Sequence, residues 1–168
     1  MVRYVKGKLF RKIDTFPPKI TCLAMDDSVE YYDFLKKCHI NGFRQIIITS
    51  EIMIKFIDYF VLDFNYEIYS IEFMEDDKDL SEEINALLNM TSIRAAYLSK
   101  LKEQLLFLSE KSSIEIQRIY FKGRDAQGRA LNFYLQSNGI FGINDAHYPI
   151  ISEKIAELME GYLSLIHI

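Results

Sequence analysis

Between Lys19 and Met74 the chain switches its hydrophobic period from two to about 3.6 and back, twice over, and this alternation limits the folds open to it. The run KITCLA, residues 19–24, reads as a short strand that closes on Asp26, Asp27 and Ser28, residue types that cap a following helix. Tyr31, Phe34, Leu35 and Cys38 then recur at helical spacing, and Lys36, Lys37 and His39 precede the stop at Asn41-Gly42. RQIIITS reads as a second strand, with Thr49 and Ser50 placed to cap EIMIKFIDYFVLDF. That helix is apolar on most sides, so burial on most sides is expected. EIYSIEFM completes a strand–helix–strand–helix–strand series, which predicts a parallel βαβαβ unit with right-handed crossovers.

From about Leu80 to Glu110 the chain lacks glycine and proline, and Asp79 and Glu82 stand at capping-box spacing before it. Ile84, Leu87, Thr91, Arg94, Leu98, Leu101, Leu105 and Leu108 fit a heptad that Thr91 and Arg94 interrupt. One rod and two helices broken near Asn89 are both compatible with this pattern. Packing against the chain's own domain is expected ahead of a coiled-coil dimer.

After Ser113 the period returns to two. IEIQRIYF and ALNFYLQ flank the turn GRDAQGR, and Ser137-Asn138-Gly139 leads into IFGI, which predicts a three-stranded antiparallel meander. Pro149 suits the first turn of a C-terminal helix with Ile151, Ile155, Leu158, Met159 and Tyr162 on one face. The fold class expected is therefore α/β or α+β, one domain over residues 1–162. The final LSLIHI, residues 163–168, is the in-frame translation of CTG TCT CTT ATA CAC ATC, which resembles the transposon mosaic end of tagmentation libraries. The expectation is that 163–168 is adapter read-through, that the native sequence stops at Tyr162 here, and that the chain is the N-terminal part of a longer protein.

With 49% hydrophobic, 14% aromatic and 26% charged residues, the chain lies far from the polar composition of disordered proteins. A net charge of −4 and a pI near 5.4 disfavour nucleic acid and anionic membranes as global partners. The start is nonetheless basic: Arg3, Lys6, Lys8, Arg11 and Lys12 precede the first acid, Asp14. A solvated edge strand is expected there ahead of a nucleic-acid arm. Cys22 and Cys38 lack CxxC spacing and read as small apolar core residues. No signal-peptide core and no run of about 20 apolar residues is present, which makes cytoplasm the expected setting.

In a parallel sheet, ligands bind beyond the carboxyl ends of the strands. The residues expected at that edge are Asp26 and Asp27, then Thr49, Ser50 and Glu51, then Glu75, Asp76 and Asp77. Asp27, Glu51, Asp76 and Asp77 are candidate Mg2+ ligands, because a hard cation prefers oxygen donors. Asp26, Asp27, Glu51 and Asp76 are the matching catalytic candidates. His147, in NDAHYP beside Asp145, is the remaining acid–base candidate, since His39 suits a helix end and His167 belongs to LSLIHI. Glu115 lacks the lysine two residues on that a nuclease hairpin needs, and phosphate-loop, dinucleotide, serine-hydrolase and zinc-protease motifs are absent. ITCLAMDDSVEYYDFLKKCHINGFRQIIIT resembles the start of response-regulator receiver domains, but the third strand offers Glu72 where a phosphoacceptor aspartate would stand. No family is assigned on that likeness.

The leading expectation is a cytoplasmic binding or regulatory module that needs no cofactor, with a protein partner or a missing C-terminal part as its ligand. The alternative is a Mg2+-dependent phosphoesterase or nuclease that uses the acidic edge. A third possibility, partner docking along residues 80–110, requires an exposed apolar stripe there.

Overall fold

The structure is a computed structural model that describes residues 3–15, 17, 19–93 and 96–166, without the side chains of 92, 93 and 164–166. Among the described residues, seven strands and five α-helices make a mixed α+β chain that divides into two compact units, residues 1–47 with 138–168, and residues 48–137. No helix among the described residues is long and apolar enough to cross a membrane.

In the first unit, β1 (Tyr4–Lys12) pairs antiparallel with β2 (Lys19–Ala24) from Gly7↔Ala24 to Lys12↔Lys19. Its other side pairs antiparallel with β7 (Ile140–Asn144) over Tyr4 to Lys8 and with β3 (Phe43–Gln45) over Phe10 to Lys12. The strand expected at an edge is thus flanked on both sides. Both of its faces are covered, and Gly7, Lys8, Leu9 and Phe10 are all buried. Helix α5 (Tyr148–Ile166) lies along β2 and β1, where the Cys22 thiol donates to the Ser152 carbonyl at 3.3 Å. Helix α1 (Tyr31–Ile40) covers the opposite face through Phe34, 5.9 Å from Phe10.

The parallel pairing expected over 19–74 is corrected by these registers. The element order strand–helix–strand–helix–strand is present, but β1 lies between β2 and β3, and β4 (Glu67–Phe73) pairs antiparallel with β5. The strand expected over 44–50 is also shorter. Pairing ends at Gln45, and the extended residues that follow hydrogen-bond singly, the Ile48 N–H to the Ser137 carbonyl at 2.7 Å.

The second unit is a two-layer sandwich. Strand β4, β5 (Ile116–Arg124) and β6 (Ala130–Gln136) form antiparallel pairs, with register shifts in β4 after Ile68 and Glu72. Helix α2 (Ser50–Asp58) continues into a π-helical turn (Tyr59–Asp63) and with α3 (Lys78–Ile93) packs on the strands, and α4 (Ala96–Ser112) packs on α2 and α3. The core there is aromatic: Phe60, Tyr66, Phe121 and Phe133 sit together, with ring centroids 5.0–5.1 Å apart for the three phenylalanines. The heptad leucines Leu98, Leu101, Leu105 and Leu108 are buried, so no exposed stripe runs along α4. Asn89 lies inside α3, whereas Arg94, the interrupting heptad position, lies outside the described residues.

The β5–β6 hairpin expected in the meander is present, turned at Asp125, and β7 follows in the chain after Ser137-Asn138-Gly139. Asp125 holds the first turn by accepting from the N–H of Gln127 at 3.0 Å and of Arg129 at 2.8 Å.

Two glycines test the packing in opposite directions. A Cβ on Gly7 would stand 2.5 Å from Phe141 Cζ and 2.8 Å from the Tyr148 hydroxyl, whereas one on Gly161, inside α5, would meet nothing within 4 Å. Gly7→Ala is expected to lower stability by about 1–3 kcal/mol through overpacking. Gly161→Ala should raise it by about 0.5–1 kcal/mol, because a helical glycine loses more backbone entropy. Urea denaturation of both variants checks the pair of signs.

Candidate binding face

Of the acidic residues singled out from the sequence, Asp26 and Asp77 accept from nearby backbone N–H groups. Asp26 Oδ1 accepts from Ser28 N at 2.9 Å and Ser28 Oγ at 2.7 Å, and the hydroxyl and N–H of Ser28, in that order, hold its carboxyl below the usual range. This local turn keeps Asp26, Asp27 and Ser28 out of the helix start. The N-cap of α1 is Glu30, which makes no side-chain cap. Asp77, and not the Asp79–Glu82 pair, accepts from the Leu80 N–H at 3.1 Å at the start of α3. Thr49 caps α2 as expected. Glu51 and Asp76 are exposed, and His147 is buried, with its backbone N–H donating to Asn144 Oδ1 at 3.0 Å. Among the described residues no group of three or more His, Cys, Asp and Glu side chains comes together in a way that could hold a metal ion.

Cap and ligand are separable at Asp77. Asp77→Asn should retain both stability and any Mg2+ affinity of the parent, since asparagine caps as well as aspartate, whereas Asp77→Ala should lose about 1 kcal/mol. Titration calorimetry that showed Mg2+ affinity lost in Asp77→Asn would restore the metal reading.

Ser50, also taken from the sequence as a cap, has another task. Its hydroxyl is buried, donates to Glu115 Oε2 and accepts from the Ile116 N–H at 2.9 Å, while Ser109 Oγ donates to Glu115 Oε1 at 2.9 Å. Glu115 thereby ties the start of α2 and the end of α4 to the start of β5. This is a strut between elements.

A different group of residues is brought together on the outer face of β4, β5 and β6. The alternation that buries Ile119 and Phe121 turns Arg118, Tyr120, Lys122 and Arg124 outward on β5. The register sets Glu72 and Gln136 opposite Arg118, Tyr134 opposite Tyr120, and Glu67 and Asn132 opposite Lys122. Arg118 Nη1 donates to the Tyr120 hydroxyl at 2.8 Å, Nη2 donates to Gln136 Oε1, and the guanidinium lies 4.4 Å from the Tyr134 ring centroid. Tyr120 in turn donates to Glu72 Oε1 at 2.8 Å, and burial is the first cause that raises its hydroxyl pKa. Tyr69 stands 5.6 Å from Tyr120 and is 45% exposed. The helices of this unit gather at the opposite, apolar face, α2 against β5 and α3 against β4, with α4 packed on α2 and α3.

At the far end of the same face a depression of about 610 Å³ is lined by residues that include Phe64, Asn65, Lys122, Arg124 and Asn132. Lys122 stands 3.7 Å from Glu67, both about half exposed, a pair that solvent screens to little net energy. The face was missed in the sequence because only the strand register reveals it. Its signal was nonetheless present in RIYFKGR, where cations and tyrosine recur with period two.

In the first unit, Lys8 is the residue the sequence least announced. It is 0% exposed, donates to the Asn138 carbonyl, and its Nζ lies 5.9 Å from the Tyr31 ring centroid. Burial lowers its pKa to about 8.

Comparison with family models, with curated proteins and with solved structures finds no match for this chain.

Proposed function

We propose that the chain is a binding module of cytoplasmic setting and that its binding surface is the outer face of β4, β5 and β6. One observation carries this reading: the outer face of β4, β5 and β6 holds Tyr69, Tyr120, Tyr134 and Arg118, connected to one another and to Glu72 and Gln136. The solvated face of an antiparallel sheet needs only small polar and charged residues. Tyrosine and arginine are the residue types that dominate binding energy at interfaces. Rings already ordered by neighbours lose little conformational entropy when a ligand arrives. The free thiols of Cys22 and Cys38 suit a reducing compartment.

The reading is tested by selecting binders from a displayed peptide library and from a random oligonucleotide pool on the immobilised parent chain. Enriched binders should lose about tenfold or more in affinity for Tyr120→Ser/Tyr134→Ser, and should bind Glu153→Ala, altered on an exposed position of α5, as they bind the parent. Binders indifferent to the double variant, with its circular dichroism unchanged, would place the binding surface elsewhere.

A further inference from the structure

We infer that the occupant of this face is a single-stranded nucleic acid that lies along β5 and β6. The inference rests on the binding-face reading above and adds the chemistry of the ligand. Residues 116–136 carry four cations, Arg118, Lys122, Arg124 and Arg129, against one acid, Asp125, in a chain whose net charge is −4. Asp125 pairs with Arg129 at 2.8 Å, which leaves the cations of the outward row without an acid on their own hairpin. Along β5 that row runs Arg118, Tyr120, Lys122, Arg124, in steps of two residues or roughly 7 Å. Across from it β6 offers Gln136, Tyr134 and Asn132: two amides, one ring and no carboxylate.

The two acids of the face, Glu67 and Glu72, both stand on β4, on the other side of β5. Negative charge is therefore favoured along the β5–β6 side and opposed along β4. Such a track of cations interleaved with aromatic rings suits a flexible polyanion whose bases can stack. The amide of Asn132 can meet a base edge, and the depression, which Glu67 lines together with Lys122 and Arg124, has the volume of a small-ligand pocket, enough for one nucleotide whose phosphate lies toward the two cations and away from Glu67. A rigid duplex presents its bases only in grooves, whereas an open sheet face admits splayed bases. A polypeptide partner would use the same tyrosines, but gives no reason for cations on one strand and acids confined to another.

Fluorescence anisotropy with labelled oligo-uridylate and oligo-thymidylate of about ten nucleotides tests the inference on the full chain. The parent should bind both at low salt, with log K falling against log salt at a slope of about −2, as expected for about three phosphate contacts on a single strand. Lys122→Gln/Arg124→Gln should weaken binding about tenfold or more and bring the slope to about −0.7. Tyr134→Ser should also lose about tenfold through stacking while the slope stays as in the parent.

Lys6→Gln/Arg11→Gln, in exposed positions of the basic first strand, should behave as the parent. No binding by the parent, or binding lost in the first-strand variant and retained in the hairpin variant, overturns the inference. If selected peptides require Tyr120 and Tyr134 while neither oligonucleotide binds, the nucleic-acid inference falls and the binding face stands. If neither ligand class depends on those tyrosines, both fall.

Discussion

Phe60→Ala is expected to lower the stability of the chain by about 3–5 kcal/mol, the range for a fully buried aromatic truncated to alanine. Phe60 is 0% exposed and sits on the π-helical turn, where the chain leaves α2. Its ring stacks on Tyr66 with centroids 5.8 Å apart and meets Phe133 edge-on at 5.0 Å and Phe121 at 5.1 Å. Phe56 and Phe64 close the remaining sides at 6.1 and 6.2 Å. Neighbouring rings of this size cannot collapse into the space of a lost phenyl group, so the cavity persists and its cost adds to the lost burial. Phe60→Leu keeps most of the volume and should cost less than about 1.5 kcal/mol. Urea denaturation at constant m-value measures both. A loss below about 1 kcal/mol for Phe60→Ala would mean that the aromatic cluster is not the centre of this unit's core.

Lys8→Met is expected to make the chain more stable at neutral pH, by about 1–3 kcal/mol, because it replaces a buried ammonium by an apolar chain of similar length. Lys8 gains only the Asn138 carbonyl and the Tyr31 ring in return for its lost hydration, with no carboxylate paired to it among the described residues. The pH dependence separates this cause from simple repacking. In the folded chain Lys8 titrates at about 8, against 10.5 when solvated.

Below pH 8 both states carry the charge and the desolvation penalty is present in full. Between pH 8 and 10.5 the folded state releases its proton first, the unfolded state binds more protons, and stability rises with pH. That rise, at most about 3 kcal/mol, belongs to the parent and is absent in Lys8→Met. The advantage of the variant should therefore shrink across this window. A parent–variant difference that stays flat from neutral pH to beyond 10.5 would show that Lys8 is solvated.

Elements whose signal is local were legible in the chain. The period of KITCLA, of EIMIKFIDYF and of the β5–β6 hairpin sets strand, helix and strand, because side-chain direction repeats every two or 3.6 residues. Asp125 with Gly128 marks a turn through its own hydrogen bonds, and Thr49 caps the helix it precedes. Caps were less secure where two short-range choices compete. Asp26 satisfies Ser28 in a turn instead of opening α1, and Asp77 takes the start of α3 from Asp79.

The candidate site was legible residue by residue but not as a site. RIYFKGR shows which side chains leave the core, yet Glu72, Tyr134 and Gln136 join Arg118 and Tyr120 only through strand registers that span up to 48 positions in sequence. Residues so far apart carry no common periodicity.

The sequence by itself determined the mixed class, the order of the elements, the apolar face of α5 and the tyrosine and cations that point outward on β5, since each follows from neighbours a few positions away. Tertiary structure alone decided which strands pair. It put β1 between β2 and β3, and so replaced the expected parallel unit by antiparallel pairs, because backbone hydrogen bonding is the same for every residue and does not name its partner strand. From that one choice follows the burial of Lys8. The pairing of β4, β5 and β6, equally unwritten in any local period, is what brings the tyrosines and Arg118 together on one sheet face.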